Sequence, residues 1–198
     1  LRGVSHQVSF FIAALGGVRL SAPSIAPLIA LRYGAAYAAI FGLTAISEEG
    51  LFRGYVLIQL SRAVSFWPAA VVTSLLFLAT HLFHANETVM GLAQVGLFGL
   101  VMAFSVWKSG GLWFALGFHA AWDFTETFVY GVPDSGLASA ASLFASRFEG
   151  SAWLTGGPAG PEGSALVFPA LAILAAAIHL GFQTRRPRME PSGVTPDG

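Results

Sequence analysis

The sequence contains no cysteine, and only 10% of its 198 residues are charged. The absence of cysteine excludes disulfides, thiolate metal sites and a cysteine nucleophile, so histidine and the carboxylates are the reactive side chains that remain. A soluble domain carries roughly 25% charged residues, so this chain has too few to cover a water-exposed surface. Because 55% of its residues are hydrophobic, the composition predicts an integral membrane protein. The formal net charge of zero gives no indication of nucleic-acid binding.

The apolar stretches predict an all-α fold, a polytopic membrane helical bundle. A helix needs about 20 apolar residues to cross the hydrocarbon core of a bilayer, and about six such stretches account for most of the chain. The second stretch is longer than one span requires, so we expect that helix to break near Gly50 or Gly54. The predicted transmembrane helices are Val4–Leu20, Ser24–Ser61, Trp67–His84, Thr88–Trp107, Leu112–Tyr130 and Ala165–Phe182.

The segment between the last two spans predicts one interfacial amphipathic helix. From Leu137 to Phe148 apolar residues recur at helical spacing opposite a series of serines, which is the pattern of a helix lying in the membrane surface. No break in composition divides the spans, so we expect a single transmembrane domain over residues 1–184 and a disordered polar tail over 185–198. The tail begins with Arg185, Arg186 and Arg188, which predicts a cytoplasmic C terminus by the positive-inside rule.

Three charged residues lie inside the second apolar stretch, where charge is costly. In hydrocarbon an ionisable side chain costs at least ~2.5–3.5 kcal/mol, so such residues usually face a protein interior and mark function. On a helix Glu49 and Arg53 are four residues apart with the acid first, which is the favourable order for an ion pair. Glu48 is then the unpaired carboxylate and our candidate general base. The structural alternative is that all three charges only tie helices together.

Two histidines have a chemically useful neighbour one helical turn away. Phe77 and His81 share a face near the end of the third span, and His119 and Asp123 repeat this spacing in the fifth. The Asp123 carboxylate can fix the tautomer of His119 or share its proton. We expect three other polar groups to be less important: Glu126 on the same face, His84, which can simply hydrogen-bond across helices, and His179, which has no polar neighbour in the last span.

Together these residues suit peptide hydrolysis without a side-chain nucleophile. A carboxylate and an imidazole can activate water while other donors stabilise the developing oxyanion. The sequence contains neither the Gly-x-Ser-x-Gly motif of serine hydrolases nor the His-Glu-x-x-His motif of zincins.

The three motifs, in this order on hydrophobic helices, resemble the signature of the CPBP family of intramembrane endopeptidases. They are Glu48-Glu49-x-x-x-Arg53, Phe77-x-x-x-His81 and His119-x-x-x-Asp123. This family includes the CAAX-processing and bacteriocin-processing proteases, among them the Ras-converting CAAX protease. The resemblance covers about residues 40–130, and the Trp153–Ser164 stretch followed by a last span also resembles bacterial members.

The resemblance implies a role for each motif residue. Glu48 and His81 activate the water, His119 and Asp123 form the oxyanion site, and Glu49 and Arg53 support Glu48. Eukaryotic members carry asparagine at the position of Asp123, and an ionised aspartate cannot donate to an oxyanion. Asp123 is therefore expected to be protonated or to orient His119. The resemblance favours a mechanism without a cofactor, but a set of Glu48, His81, His119 and Asp123 could also ligand zinc.

The expected substrate is a peptide or the tail of a membrane protein in the lipid bilayer, prenylated or not, and we expect the plasma (inner) membrane of a bacterium as the location. The oligomeric state stays open. Two other functions remain alternatives: a non-proteolytic scaffold or bacteriocin-immunity protein that uses the same cavity, and a proton-coupled transporter, since buried Glu, His and Asp also form proton relays.

Overall fold

The computed structural model describes residues 18–20, 25–84, 86–134 and 139–182. Within these ranges the chain is mostly helical. The elements are β1 (Val18–Leu20), α1 (Pro27–Val64), α2 (Phe66–His81), α3 (Val89–Ser109), α4 (Trp113–Phe124, continued by the π-helical segment Thr125–Tyr130), β2 (Ser146–Phe148), α5 (Ala152–Thr155), two 3₁₀ turns (Gly157–Ala159 and Pro161–Gly163) and α6 (Val167–Gly181).

Helix α1 is 38 residues long and carries the charged motif near its middle. The break expected at Gly50 or Gly54 is wrong, because Gly50 keeps ordinary helical angles with φ −60° and ψ −45°. The helix instead widens into a π-helical segment over Gly50–Val56 and returns to α-helix at Leu57. Such wide turns often occur at functional sites. The irregularity therefore lies at the predicted place but does not interrupt the helix.

The outer faces of the helices are apolar and the polar residues are inside, as in a membrane protein. Large hydrophobic side chains point outward along α1 and α2, for example Leu31, Leu43 and Leu75, which are 69%, 67% and 58% exposed. Helices Pro27–Val64 and Val89–Ser109 are long and apolar enough to cross a bilayer. The predicted helical membrane bundle is confirmed in this form. The predicted number of six spans stays a prediction, since residues 1–17 lie outside the described ranges.

Helix α3 forms the centre of the bundle. Its first turn is capped by Thr88, whose side chain accepts a hydrogen bond from the Gly91 N–H at 3.0 Å, and it ends at Gly110 in the left-handed conformation. The main apolar core joins buried residues of α2, α3, α4 and α6, including Phe77, Met102, Trp122, Leu171 and Leu174. This packing fixes the depth and rotation of α2 and α4 relative to α1.

The predicted interfacial helix between Leu137 and Phe148 is wrong. Residues 139–145 are irregular, and Ser146–Phe148 pairs as a strand with Val18–Leu20. The serines explain the difference: Ser139 and Ser142 donate to carbonyls two residues ahead, and Ser146 donates to the Tyr130 carbonyl. Side-chain bonds of this kind compete with the helical backbone bonds. The amphipathic pattern is present in the sequence, but these serine hydrogen bonds hold the segment in an irregular conformation against the end of α4.

Two other predictions fall on the ends of the chain. Val18–Leu20 is a strand, so the predicted first helix, Val4–Leu20, does not extend to Leu20. The rest of that helix and the tail over 185–198 lie outside the described residues, and the single-domain boundary at 184 stays a prediction.

Candidate active site

Three helices bring four of the predicted site residues to one cavity of about 270 Å³. Glu48 reaches it from α1, His81 from α2, and His119 and Asp123 from α4. Apolar walls enclose these polar groups, formed by Ile40, Phe41, Phe77, Val95 and Phe98. These four residues therefore line one cavity, whereas Glu49, which we expected to converge there with them, lies behind it together with Arg53 and has no exposed surface.

Glu49 is the centre of the buried charge network. Its Oε1 atom accepts a hydrogen bond from Arg53 Nη1 at 3.1 Å and lies 2.8 Å from Nδ1 of His119. The predicted ion pair between positions 49 and 53 is thus present. The link to His119 joins α1 to α4 across 70 positions of sequence, and no local spacing could have indicated it.

The orientation of His119 differs from the expected one. We expected Asp123 to fix the tautomer of His119 or to share its proton. Glu49 fixes the tautomer, because a carboxylate 2.8 Å from Nδ1 requires a proton on that nitrogen. The other ring nitrogen, Nε2, is 3.6 Å from Asp123 Oδ2 and 3.7 Å from Glu48 Oε2. His119 therefore presents Nε2 between two carboxylates of the cavity.

His81 is held in one tautomer by the backbone of its own helix. Its Nδ1 atom lies 3.0 Å from the Phe77 carbonyl oxygen, which can only accept, so Nδ1 carries the proton. The Thr80 hydroxyl donates to the same carbonyl at 2.6 Å and lies 3.1 Å from Nδ1. A neutral His81 consequently has its free lone pair on Nε2.

Phe77 supports both the guanidinium and the histidines. The Arg53 guanidinium carbon lies 4.3 Å from the centre of its ring, a cation–π distance. The ring centres of His81 and His119 lie 4.8 and 6.2 Å from it in edge-on arrangements. Gly99 of α3 provides the space, because a Cβ atom there would lie 3.0 Å from Arg53 Nη2. The aromatic residue of the second motif therefore has a positioning role besides its place in the core.

Glu48 is the one carboxylate of the charged motif that reaches the cavity without a close ion pair. Its side chain is 31% exposed and its nearest cationic partner is His119 at 3.7 Å. Glu49, by contrast, is already bound to Arg53 and His119. The two adjacent glutamates therefore have separate environments, and Glu48 is free to contact a water molecule or a substrate.

Sequence reasoning missed several groups at the cavity wall, namely Gln94, Asp134 and Glu162. Glu162 lies in the glycine- and proline-rich part of the Trp153–Ser164 stretch, to which we assigned no site residue, yet its Oε1 accepts a hydrogen bond from the Trp122 indole at 3.1 Å. An acidic residue in such a segment, placed between two spans, was the available signal. Burial, followed by the Asp123 and Glu162 carboxylates, raises the pKa of Asp134 well above its usual range.

Of the three polar residues expected to be less important, His84 lines the cavity, whereas His179 and Glu126 do not. His84 lines the cavity, with its ring centre 4.6 Å from that of His81, and so is closer to the site than expected. His179 is exposed on α6 and stacks on Phe104 at 6.5 Å, outside the cavity. Glu126 is completely buried behind the wall rather than part of it.

The four residues of the zinc alternative are not arranged as a ligand set. Among the described residues, one group of three acidic or histidine side chains has its ligand atoms within 4.8 Å of one another, and it consists of Glu126, Asp134 and Glu162. Glu48, His81, His119 and Asp123 do not form such a group in this structure. These residues therefore do not fit a zinc ion as placed, and no chemical step below is assigned to one.

The fold and the site define a class: a helical membrane protein with several carboxylates and imidazoles around one largely apolar cavity. The chain belongs to the Rce1-like family, described as type II CAAX prenyl endopeptidase Rce1-like, which matches residues 25–125, half of the chain. This family consists of CAAX-type membrane proteases. The match contains all three motifs, so the family predicted from them is confirmed.

One curated relative extends the comparison. The chain is 41% identical over 75 residues to a protein of Escherichia coli named "Uncharacterized 24.3 kDa protein". The matched stretch is 37% of this chain and 34% of that protein, so the chain spans about a third of the length of this relative. No solved structure matches the chain.

Proposed function

We propose that this protein is an intramembrane endopeptidase that hydrolyses a peptide bond in a membrane-associated peptide or protein tail. The observation that carries this function is that one cavity is lined both by Glu48, a carboxylate without a close ion pair, and by His81, whose Nε2 is free. Membership of a family of CAAX-type proteases supports the same reaction.

Glu48 and His81 activate the water. His81 Nε2 accepts a hydrogen bond from one hydrogen of the water and Glu48 removes the other as the water oxygen attacks the carbonyl carbon. The new C–O bond produces a tetrahedral intermediate, and the proton held by Glu48 then passes to the amide nitrogen as the C–N bond breaks. No covalent intermediate with the protein is needed, which agrees with the absence of cysteine. General base and acid catalysis of this kind contributes about 10²–10⁴-fold in rate.

His119 stabilises the oxyanion. Its Nδ1–H is donated to Glu49, so Nε2 is the atom available to the intermediate, and in the doubly protonated form Nε2–H donates to the negative oxygen. Asp123, 3.6 Å from Nε2, supports the positive charge on the ring and orients it rather than donating to the oxyanion itself. Glu49 and Arg53 are positioning residues, because both are completely buried and act through His119 and Phe77.

The reaction as proposed needs no metal or other cofactor. Its support is the donor geometry described above, in which Glu48, His81, His119 and Asp123 do not converge as ligands. The bilayer-facing surface and the arginines after residue 184 support an inner-membrane location in a bacterium, with the C terminus in the cytoplasm.

Peptide cleavage with and without a chelator tests both the activity and the mechanism. Wild-type protein, His81→Ala and the matched control His179→Ala are purified in detergent and incubated with a quenched-fluorescence peptide library that contains prenylated and unprenylated members. We expect wild type and His179→Ala to cleave equally in EDTA, and His81→Ala to lose at least about 100-fold in rate.

Two results would contradict parts of this function. If His81→Ala cleaves like wild type, or if no folded sample cleaves any peptide, the protease assignment is wrong, and a scaffold or transporter becomes the better description. If EDTA alone abolishes cleavage and zinc restores it, the endopeptidase stands but the metal-free mechanism is wrong.

A further inference from the structure

Three carboxylates that the proposed hydrolysis does not use converge at the end of α4. Glu126 lies in its π-helical extension, Asp134 follows in the next turn, and Glu162 comes from the second 3₁₀ turn. One oxygen of each lies within 4.8 Å of the others. Asp134 and Glu162 also line the cavity wall, while Glu126 closes the group from behind.

Glu126 is the member that requires a partner. It has no exposed surface, and neither of its oxygens has a hydrogen bond of normal geometry. The Trp122 indole N–H, the nearby donor, is directed to Glu162 at 3.1 Å and has only a minor influence on Glu126. An isolated carboxylate is expensive to bury, so it needs a proton or a cation close by. Its oxygen points toward Asp134 and Glu162, which offer further carboxylates and no positive charge of their own.

The surrounding backbone holds the three groups at this distance. Gly160 has φ +84°, and a Cβ atom there would collide with the Pro133 carbonyl, so glycine lets the loop of Glu162 lie directly on the segment of Asp134. The Val132 N–H donates to the backbone carbonyl oxygen of Glu126 at 3.0 Å, and the Thr127 hydroxyl donates to the side-chain Oδ2 of Asp134 at 3.3 Å. Two of the three carboxylates are thus oriented by hydrogen bonds, from Trp122 to Glu162 and from Thr127 to Asp134.

We propose that Glu126, Asp134 and Glu162 form a binding site for a hard divalent cation, Mg²⁺ or Ca²⁺. Oxygen donors from carboxylates are the ligands these ions prefer, and water or backbone carbonyls complete their coordination. Bound there, the ion compensates the buried charge of Glu126 and fastens the loop Gly157–Gly163 to the end of α4. This role is structural and does not depend on the protein being a protease.

Terbium luminescence tests the site directly. Tb³⁺ replaces Ca²⁺ at oxygen-rich sites, and Trp122, hydrogen-bonded to Glu162, is close enough to sensitise its emission. We titrate Tb³⁺ into detergent-purified wild type, Glu126→Gln, Asp134→Asn and the control Glu149→Gln, an exposed acid elsewhere in the chain. Wild type and Glu149→Gln should give saturable emission that Ca²⁺ or Mg²⁺ displaces, and the two site variants should bind at least tenfold more weakly.

Thermal unfolding provides a second measurement that needs no luminescence. Millimolar Ca²⁺ or Mg²⁺ should raise the Tm of wild type relative to its Tm in EDTA, by mass action, and should leave the Tm of Glu126→Gln unchanged.

The site is refuted if wild type shows neither sensitised emission nor a cation-dependent Tm, or if Glu126→Gln binds Tb³⁺ as tightly as wild type. If Glu126→Gln does not fold, Asp134→Asn decides between the same two outcomes. Glu48→Gln should bind Tb³⁺ normally, so loss of peptidase activity and loss of this site are separate results.

Discussion

At the scale of single residues, the site depends on two adjacent glutamates with different surroundings. Glu49 is fully buried and bonded to Arg53 and His119, whereas the Glu48 side chain is 31% exposed in the cavity. Successive residues of a helix point about 100° apart, because there are about 3.6 residues per turn. One turn of α1 can therefore direct one carboxylate into the protein and the next into the reaction space.

Replacing each glutamate with glutamine should separate stability from activity. Glu49→Gln leaves the Arg53 charge buried without its partner, which costs about 3–5 kcal/mol and should lower the Tm in detergent by about 6–20 °C. Glu48→Gln breaks no close ion pair, so its Tm should change little. Thermal unfolding of the two purified variants provides the comparison. Equal losses of Tm would contradict the separate environments of the two carboxylates.

Several residue contacts could be predicted from spacing, and others could not. The pair between Glu49 and Arg53 follows from four-residue spacing on a helix, and the same rule places His119 beside Asp123. The contacts of Glu49 with His119 and of Trp122 with Glu162 join positions 70 and 40 residues apart. Such contacts depend on how the helices pack, which periodicity does not describe.

At the scale of elements, α3 acts as the spacer that lets α1 and α2 approach. Gly99 faces both Arg53 of α1 and Ser74 of α2, and a Cβ atom there would be 3.0 Å from each side chain. The π-helical segment of α1 lies at the same place, over Gly50–Val56. A small residue on α3 is therefore a condition for the buried guanidinium.

Gly99→Val should disturb the site through this contact. The larger side chain overpacks the space of Arg53 and should cost about 1–3 kcal/mol, with a matching loss of peptidase activity as Glu49 and His119 shift. Gly42→Val is the matched control, since Gly42 is also on a helix and has no atom within 4 Å of its would-be Cβ. Thermal unfolding and peptide cleavage are measured on both. A Gly99→Val protein as stable as the control would refute the spacer role.

The sequence predicted the positions of the long helices better than it predicted where a helix is interrupted or absent. Long apolar stretches located α1, α2, α3, α4 and α6 within a few residues. The break in α1 was wrong because glycine permits a break without requiring one, and here the helix widens into a π-helical segment and continues. The helix after Leu137 was wrong because its serines bond to the backbone, which a pattern of apolar positions does not record.

At the scale of the whole molecule, the chain places its apolar surface outside and its charges around one cavity. This arrangement suits lipid, where the outward leucines meet hydrocarbon, and it places Glu48 in a cavity with largely apolar walls. Apolar surroundings strengthen the electrostatic effect of a charged group on a reacting bond. The fold therefore supports hydrolysis at membrane depth, as expected for a member of the Rce1-like family.

The most direct test of the account is the rate of peptide cleavage by Glu48→Gln in lipid vesicles. The substrate is a peptide that wild type cleaves, the products are identified by mass spectrometry, and Glu149→Gln serves as the control. We predict that Glu48→Gln folds and loses about 10²–10⁴-fold in rate, while the control cleaves like wild type. A folded Glu48→Gln protein that cleaves within threefold of wild type would show that Glu48 is not the base that activates the water.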